Sequence, residues 1–158
     1  MQKITPCLWF DTEAEAAAEL YVSLFADAKI LDVTHYGEAG PRPAGTVMTV
    51  TFLLEGQEYL ALNGGPEFPF TEAISFSVSC EDQEEVDRLW AGLLEGGGVE
   101  SQCGWLKDRF GLSWQVVPTA LIEMLQDKDP EKSKRTMAAM LKMKKLDVDA
   151  LKRAYDGR

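Results

Sequence analysis

Small hydroxyl side chains alternate with apolar ones in two segments of this chain, where they are well placed to bind a ligand. Residues 47–54 contain Thr49 and Thr51 between apolar neighbours, and Ser75 and Ser77 follow the same pattern further along. Since successive side chains of a β-strand point to opposite faces, each segment predicts a strand with one apolar and one hydroxyl face. A buried hydroxyl needs a hydrogen-bond partner. The pattern therefore predicts either a ligand-binding cavity or a sheet face that is open to solvent.

Four further side chains are predicted to complete such a cavity. Tyr59, Asn63 and Gln115 have the parity of the hydroxyl faces within their own strands, and Trp105 is the aromatic residue expected to reach a ligand. Unless Lys107 turns inward, no basic residue shares these faces, so a neutral or weakly polar ligand is favoured over a phosphate. Replacing Asn63 or Gln115 with Leu is expected to weaken binding by about 1–3 kcal/mol and barely to alter folding. The predicted ligand-binding residues are Thr49, Thr51, Tyr59, Asn63, Ser75, Ser77, Trp105 and Gln115.

Residues for nucleophilic or acid–base catalysis are scarce. The single histidine is His35, and the cysteines Cys7, Cys80 and Cys103 show no C-x-x-C spacing. Reduced, buried thiols in a cytoplasmic protein explain the cysteines better than disulfides or a zinc site do. Cys103 precedes Gly and Trp, but no second histidine or adjacent base is visible to activate it. Glu72 fits a turn or a cap better than a general base.

The elements that position these residues occur twice. Residues 7–25 and residues 76–94 share a pattern of apolar and polar positions at a constant offset of 69. Each copy predicts a short apolar strand, a polar cap and an amphipathic helix, and such a duplication predicts two pseudo-equivalent halves. The predicted caps are Thr12 with Glu15, and Asp82 with Glu85. The predicted helices are 12–25 and 82–95, and the predicted strands are 3–10, 28–36, 46–54, 57–63, 73–79, 99–109 and 113–118. The predicted turns are a tight hairpin at Glu55-Gly56 and the DRFG turn at 108–111.

The chain is predicted to form one domain of 158 residues with a helical extension at its end. We expect module one at 1–63, a linker at 64–72, module two at 73–118 and the extension at 119–158. Within the extension, Leu146-Asp147 predicts the start of the last helix, with Leu151 placed to pack against Leu146.

Charge and hydropathy exclude several partners. The formal net charge is −10, which argues against nucleic acid and anionic membranes. The basic cluster formed by KSKR and KMKK predicts a solvated helix face. The chain has no apolar run of 18 residues and no signal-peptide pattern after Met1, so a cytoplasmic location is predicted.

The double β-α-β-β-β plan, together with ALNGGPEFPFTEAISFSV, EEVDRLW and above all CGWLKDRFGLSWQVVP, resembles one branch of the vicinal oxygen chelate superfamily. This superfamily includes glyoxalases, bleomycin-resistance proteins and extradiol dioxygenases, and the branch is the one labelled 3-demethylubiquinone-9 3-methyltransferase-like. The resemblance covers residues 3–118, and the helices after them also look typical of the branch. It implies an α+β fold with two βαβββ modules, whose curved sheets surround a cleft with the helices outside. The cavity interpretation is thereby favoured over a solvated sheet face.

The superfamily's enzymes usually bind a divalent metal through His and Glu on strands one and four of each module. Local matching carries these positions onto Ile4 (Thr5 with a one-residue slip), Ala61, Ala73 and Gln115. Only Gln115 is a plausible ligand, whereas catalytic sites need about three of the His, Glu, Asp or Cys type. We therefore expect no metal and no cofactor.

A methyl-transfer cofactor has no predicted cradle either. The first strand leads into its helix without a glycine-rich turn, and the GGG at 96–98 fits the end of a helix.

The resemblance also implies a homodimer. Met137, Met140 and Leu141 recur at helical spacing in the extension, which predicts either core packing or an interface.

The resulting hypothesis is a metal-free small-molecule binding protein that sequesters or senses an apolar or aromatic compound, as bleomycin-resistance proteins do. The alternative is an enzyme of the same superfamily, with either isomerase/lyase-like chemistry or the demethylubiquinone methyltransferase activity of the label. The residues leave open whether the protein is catalytic.

Overall fold

The computed structural model describes residues 2–158 as two compact units, of which unit one ends at Phe70 and unit two begins at Thr71. Each unit contains a four-stranded mixed sheet with a helix packed on one face, and unit two carries three more helices. The predicted α+β class and the two βαβββ modules are confirmed. None of the helices among residues 2–158 is both long and apolar enough to cross a membrane.

Unit one follows the predicted order of elements. Its tight β3–β4 hairpin turns at Glu55-Gly56, where both residues have positive φ values of 48° and 79°, as the hairpin turn with two left-handed residues requires. The sheet order is β1-β4-β3-β2, with β1 parallel to β4 and the other pairs antiparallel. Its elements are β1 (Cys7–Phe10), α1 (Ala14–Leu24), β2 (Lys29–His35), β3 (Val47–Leu54) and β4 (Gln57–Asn63).

The start of α1 differs from the prediction. The Thr12–Glu15 capping box is wrong, because the N-cap residue is Glu13 and its side chain makes no capping hydrogen bond. Instead, the backbone N–H of Ala14 donates to Oδ1 of Asn63 at 2.8 Å. A side chain from the end of β4 thus satisfies one of the helix's free N–H groups, and the helix start depends on tertiary structure.

Unit two repeats the plan with shorter strands. The predicted cap of α2 is confirmed, since the Asp82 carboxylate accepts from the Glu85 N–H at 2.9 Å. The predicted strand 99–109 is instead two strands, because Cys103 and Gly104 adopt positive φ values of 59° and 85° and turn the chain between them. The sheet order is β5-β8-β7-β6. Its elements are β5 (Ser75–Cys80), α2 (Gln83–Leu94), β6 (Val99–Glu100), β7 (Trp105–Lys107) and β8 (Ser113–Pro118).

The extension forms three helices around a small apolar core of its own. Asp147 caps the last helix by accepting from the Ala150 N–H at 3.0 Å, as predicted. Leu146 and Leu151 are both fully buried in this core, and Met140 packs against it. The helices are α3 (Thr119–Leu125), α4 (Pro130–Met140) and α5 (Val148–Asp156).

Hydrogen bonds tie the extension to the rest of unit two. The Gln83 side chain donates to the Leu146 carbonyl at 3.0 Å and accepts from the Val148 N–H at 2.7 Å. The backbone N–H groups of residues 103–104 donate to the carbonyls of residues 143–144, each at 2.8 Å. The extension therefore holds the turn that precedes β7.

Candidate functional site

The strand register assigns a common face to the polar side chains of unit two. Residues paired directly across a sheet point to the same side. The other side carries Phe76, Trp114 and Val116, and Trp114 and Val116 are at most 1% exposed. Helix α2 packs against the sheet, so the polar side is its open face. Two rows of paired residues cross this open face, Ser75–Ser113–Lys107 and Ser77–Gln115–Trp105.

A groove of about 380 Å³ lies on this open face. Its volume is at the lower end of the range of small-molecule sites. Trp105 and Val99 supply apolar surface, whereas Ser113 and an ion pair supply polar groups. The groove is lined by Glu72, Val99, Glu100, Ser101, Trp105, Leu106, Lys107 and Ser113.

The Ser113 hydroxyl is a buried polar group of the groove that lacks a protein partner. Ser113 is 1% exposed, and its Oγ has no hydrogen-bond partner among the residues that the structure describes. The nearby Ser75 hydroxyl accepts instead from Nε2 of Gln115 at 2.9 Å. Burying a hydroxyl without a partner costs roughly 1–3 kcal/mol. The hydrogen-bonding capacity of Ser113 at the wall of the groove is therefore not used by the described residues.

An ion pair between Lys107 and Glu72 closes one side of the groove. The Lys107 ammonium contacts the Glu72 carboxylate, and this hydrogen bond holds the pKa of Glu72 below its usual value. Lys107 thus turns to the open face, which the sequence had left undecided, but its charge is matched by Glu72. Because the charges of Lys107 and Glu72 are matched, the groove does not favour an anionic ligand.

Trp105 is positioned by the turn that separates β6 from β7. Its N–H donates to the Gln102 carbonyl at 3.0 Å, and its carbonyl accepts from the Ser101 N–H at 2.9 Å. Gly104 permits this turn, since a Cβ there would lie 2.9 Å from both the Val116 carbonyl oxygen and the Leu146 side chain. These bonds fix the backbone of Trp105 beside the groove, and its side chain is half-buried there.

The Asp108 carboxylate organises the hairpin that carries Lys107 and Ser113. Asp108 is 3% exposed. One carboxylate oxygen accepts from the backbone N–H groups of Phe110 and Leu112 at 2.9 and 3.1 Å. The other accepts from the indole N–H of Trp114 at 2.9 Å. The DRFG turn predicted from the sequence is thus confirmed. Its three hydrogen bonds to the buried Asp108 carboxylate stabilise it.

The structure brings together part of the predicted site. Trp105 lines the groove, and Ser75, Ser77 and Gln115 share its sheet face. Thr49 and Thr51 lie on the open face of the unit one sheet, where Thr49 hydrogen-bonds to the Thr34 hydroxyl at 2.5 Å. The groove residues Glu72, Lys107 and Ser113 were missed. Ser113 carried a usable signal, because it lies two residues before Gln115 in the same strand.

The predicted facing of Tyr59 and Asn63 is wrong. Tyr59 pairs with Phe52 and stacks on it, with ring centroids 5.5 Å apart, on the helix-covered face of the sheet. Partial burial raises the pKa of the Tyr59 phenol. Asn63 is 6% exposed and is engaged with Ala14 and the Val47 carbonyl. Parity failed here because β4 has apolar residues at both parities, so its pattern does not tell the two faces apart.

The positions implied for a metal do not fit one. Ile4 precedes β1 and is 83% exposed, Ala61 lies buried on the helix-covered face, and Ala73 precedes β5. His35 is exposed at the end of β2. Across residues 2–158, no three or more His, Cys, Asp or Glu side chains are grouped closely enough to hold a metal ion.

The predicted burial of all three cysteines is wrong, since Cys80 is buried whereas Cys7 is exposed and Cys103 is partly buried. Neither Cys7 nor Cys80 is an activated nucleophile. Burial raises the pKa of the Cys80 thiol to about 12, and partial burial also raises the pKa of Cys7. Both thiols therefore stay protonated at neutral pH, and the protonated form is a poor nucleophile.

Unit one and unit two therefore each form one βαβββ module with a helix on one face of its sheet, and unit two has a groove on its open face. The family model for 3-demethylubiquinone-9 3-methyltransferase matches residues 2–117, and the chain belongs to this family. The branch predicted from the sequence is thereby confirmed. No curated protein matches the chain.

Solved structures agree with this assignment. The PhnB protein of Bacillus cereus is 37% identical, with a TM-score of 0.68 over 74% of this chain and 99% of its own length. Protein PA1353 of Pseudomonas aeruginosa shares the fold at 22% identity and a TM-score of 0.60, over 75% of this chain and 98% of its own. A glyoxalase/bleomycin resistance/dioxygenase domain from Frankia matches at 15% identity and a TM-score of 0.44, covering 75% of this chain and 92% of its own. No conclusion rests on that last similarity.

The extension lies outside these similarities. The family model ends at residue 117, before α3 begins. Because 74% of this chain covers almost all of the Bacillus cereus protein, about a quarter of the chain has no counterpart there.

Proposed function

We propose that the groove of unit two binds a small, neutral, apolar or aromatic molecule, and that the protein sequesters or senses it without a metal or cofactor. The observation that carries this proposal is the buried Ser113 hydroxyl without a protein partner beside the Trp105 indole. An aromatic ring of the ligand would stack on the Trp105 indole, and one hydroxyl or carbonyl group of the ligand would hydrogen-bond to Ser113. The matched charges of Lys107 and Glu72 support a ligand without net charge.

Two further properties belong to this proposal. We propose that the protein acts in the cytoplasm, which its three free cysteines support. We also propose that it forms a homodimer, which the exposed apolar side chains of Met137 and Leu141 support.

Ligand binding is expected to appear first at Trp105. The protein has four tryptophans, so labelling with 5-fluorotryptophan gives one fluorine signal for each, and Trp105→Phe identifies the Trp105 signal. Titration with phenol, 2-naphthol and quinolin-4-one is expected to shift the Trp105 signal saturably. Ser113→Ala is expected to weaken binding of such compounds by about 1–2 kcal/mol, while leaving the unliganded protein as stable or up to about 1 kcal/mol more stable.

Ser77→Ala is the matched control, because Ser77 is exposed on the same sheet face and lies outside the groove lining. If the Trp105 signal responds to none of the compounds, or if Ser113→Ala and Ser77→Ala bind equally well, the proposed site is wrong. A saturable shift with S-adenosylmethionine alone would instead favour the methyl transfer that the family description names.

Protein that has never been exposed to a chelator is expected to contain no stoichiometric transition metal. The open faces of β1 and β4 carry Cys7 and Glu58, but among residues 2–158 no three or more His, Cys, Asp or Glu side chains are grouped closely enough to hold a metal ion, and the Gln115 amide is a weak ligand. Elemental analysis is expected to show well under one zinc, iron, nickel or manganese per chain. About one such metal per chain, lost in Gln115→Ala but kept in Ser77→Ala, would contradict this expectation.

A further inference from the structure

The charges of the chain are segregated along its length. Residues 128–158 contain 10 basic and 5 acidic residues, a net charge of +5, whereas residues 1–127 contain 6 basic and 21 acidic residues, a net charge of −15. From Lys132 to Lys145, both included, there are six basic residues and no acidic one. The basic segment coincides with α4 and the residues after it, in the extension that the family model leaves out.

An exposed stripe runs along α4 and continues through Leu141 and Lys142 after its end, and this α4 stripe combines the charge with apolar surface. Lys134, Met137, Ala138 and Leu141 follow one another at helical spacing, and all are exposed, with Met137 at 41% and Leu141 at 58%. Lys142 extends the stripe, and neither lysine has a carboxylate within ion-pair distance among residues 2–158. The core of the extension uses Met140 and leaves this stripe uncovered.

Helix α1 carries a strip of the opposite charge. Glu15 and Glu19 are exposed one helical turn apart, and Ala16 and Leu20 beside them are only partly buried. The helix contains no basic residue. By contrast, α2 contains Arg88 and its Asp87 already pairs with Lys145, so α1 offers the less interrupted acidic strip.

We propose that the α4 stripe of one copy docks on the α1 strip of a second copy. This assignment rests on the proposed homodimer and specifies its surfaces. Two copies with a charge of −10 each repel one another, so association is favoured where the basic segment of one meets an acidic strip of the other. Both surfaces repeat their apolar and charged residues every four positions, which suits helix-on-helix packing. In an isologous pair the contact occurs twice.

Sedimentation of the full chain over nanomolar to micromolar concentrations tests the proposal. The parent is expected to form a dimer that weakens at high salt. Lys134→Glu with Lys142→Glu is expected to raise the dimer dissociation constant about tenfold or more. Adding Glu15→Lys and Glu19→Lys to this variant is expected to restore dimerisation. Lys152→Glu with Arg153→Glu makes the same charge change on exposed positions of α5 and is expected to leave the dimer unchanged.

The possible outcomes distinguish the proposed homodimer from the surfaces assigned to it. A parent that sediments only as a 17.5 kDa species overturns both the homodimer and its surfaces. A dimer that the α4 double variant leaves intact, or that the α5 control disrupts equally, keeps the homodimer and overturns the assigned surfaces. If the α4 double variant weakens the dimer and the two α1 lysines do not restore it, the stripe does not dock on α1. That result overturns the proposed pairing.

Discussion

Replacing Asp108 with Ala is expected to lower the free energy of unfolding of unit two by about 3–5 kcal/mol. The substitution leaves two backbone N–H groups and the Trp114 indole N–H without their acceptor, and these bonds lie in a buried turn. Hydrogen bonds to a charged group contribute roughly 1.5–3 kcal/mol each, and unpaired buried donors add their desolvation cost. Urea unfolding, followed by the 5-fluorotryptophan signals of Trp90 and Trp114, measures the change.

Asp108→Asn separates the charge from the shape of this side chain. The amide keeps one acceptor oxygen but presents an NH₂ group to a donor in either orientation, so an intermediate loss of about 2 kcal/mol is expected. Because Trp114→Phe removes the indole donor, the Asn substitution is expected to cost less in that background. A loss below about 0.5 kcal/mol for Asp108→Ala, the level typical of surface substitutions, would show that the carboxylate does not organise the turn.

Replacing Asn63 with Leu is expected to lower the free energy of unfolding of unit one by about 2–4 kcal/mol. The sequence predicts a ligand-binding role for Asn63 with little effect on folding, whereas the structure shows two hydrogen bonds that its side chain makes within unit one. Oδ1 accepts from the Ala14 N–H at the start of α1, and Nδ2 donates to the Val47 carbonyl at 3.1 Å. Leucine leaves both groups unpaired in a buried place. The 5-fluorotryptophan signal of Trp9 reports the unfolding of this unit.

Asn63→Asp is the informative companion variant. The carboxylate still accepts from the Ala14 N–H, where the helix start favours negative charge, but it cannot donate to Val47. Its loss is therefore expected to be about 1 kcal/mol, smaller than that of leucine. Thr51→Val, on the open face of the same sheet, controls for an equal-sized change of polarity. If Asn63→Leu proved as stable as this control, the helix start would not depend on Asn63.

Features that depend on neighbours in sequence were determined by the sequence itself. The Asp82 cap of α2, the Glu55-Gly56 hairpin and the contact of Leu146 with Leu151 involve residues at most five positions apart. Their chemistry is local, because a cap or a tight turn is specified by a few side chains and by which residues adopt positive φ. For the same reason the strand and helix order of unit one was predictable, whereas the single strand predicted at 99–109 of unit two is two strands.

Only the tertiary structure decided which residues share a site. Glu72 meets Lys107 from 35 positions away, Ser113 lies beside Lys107 through the register of β7 with β8, and Asn63 reaches the start of α1 across 49 positions. In β4, a parity count placed Tyr59 on the wrong face, because apolar residues occur at both parities. A strand's sequence records its alternation, but the partner strand and the register decide which alternate face a helix covers. The groove therefore depends on strand pairing, which no single segment of this chain encodes.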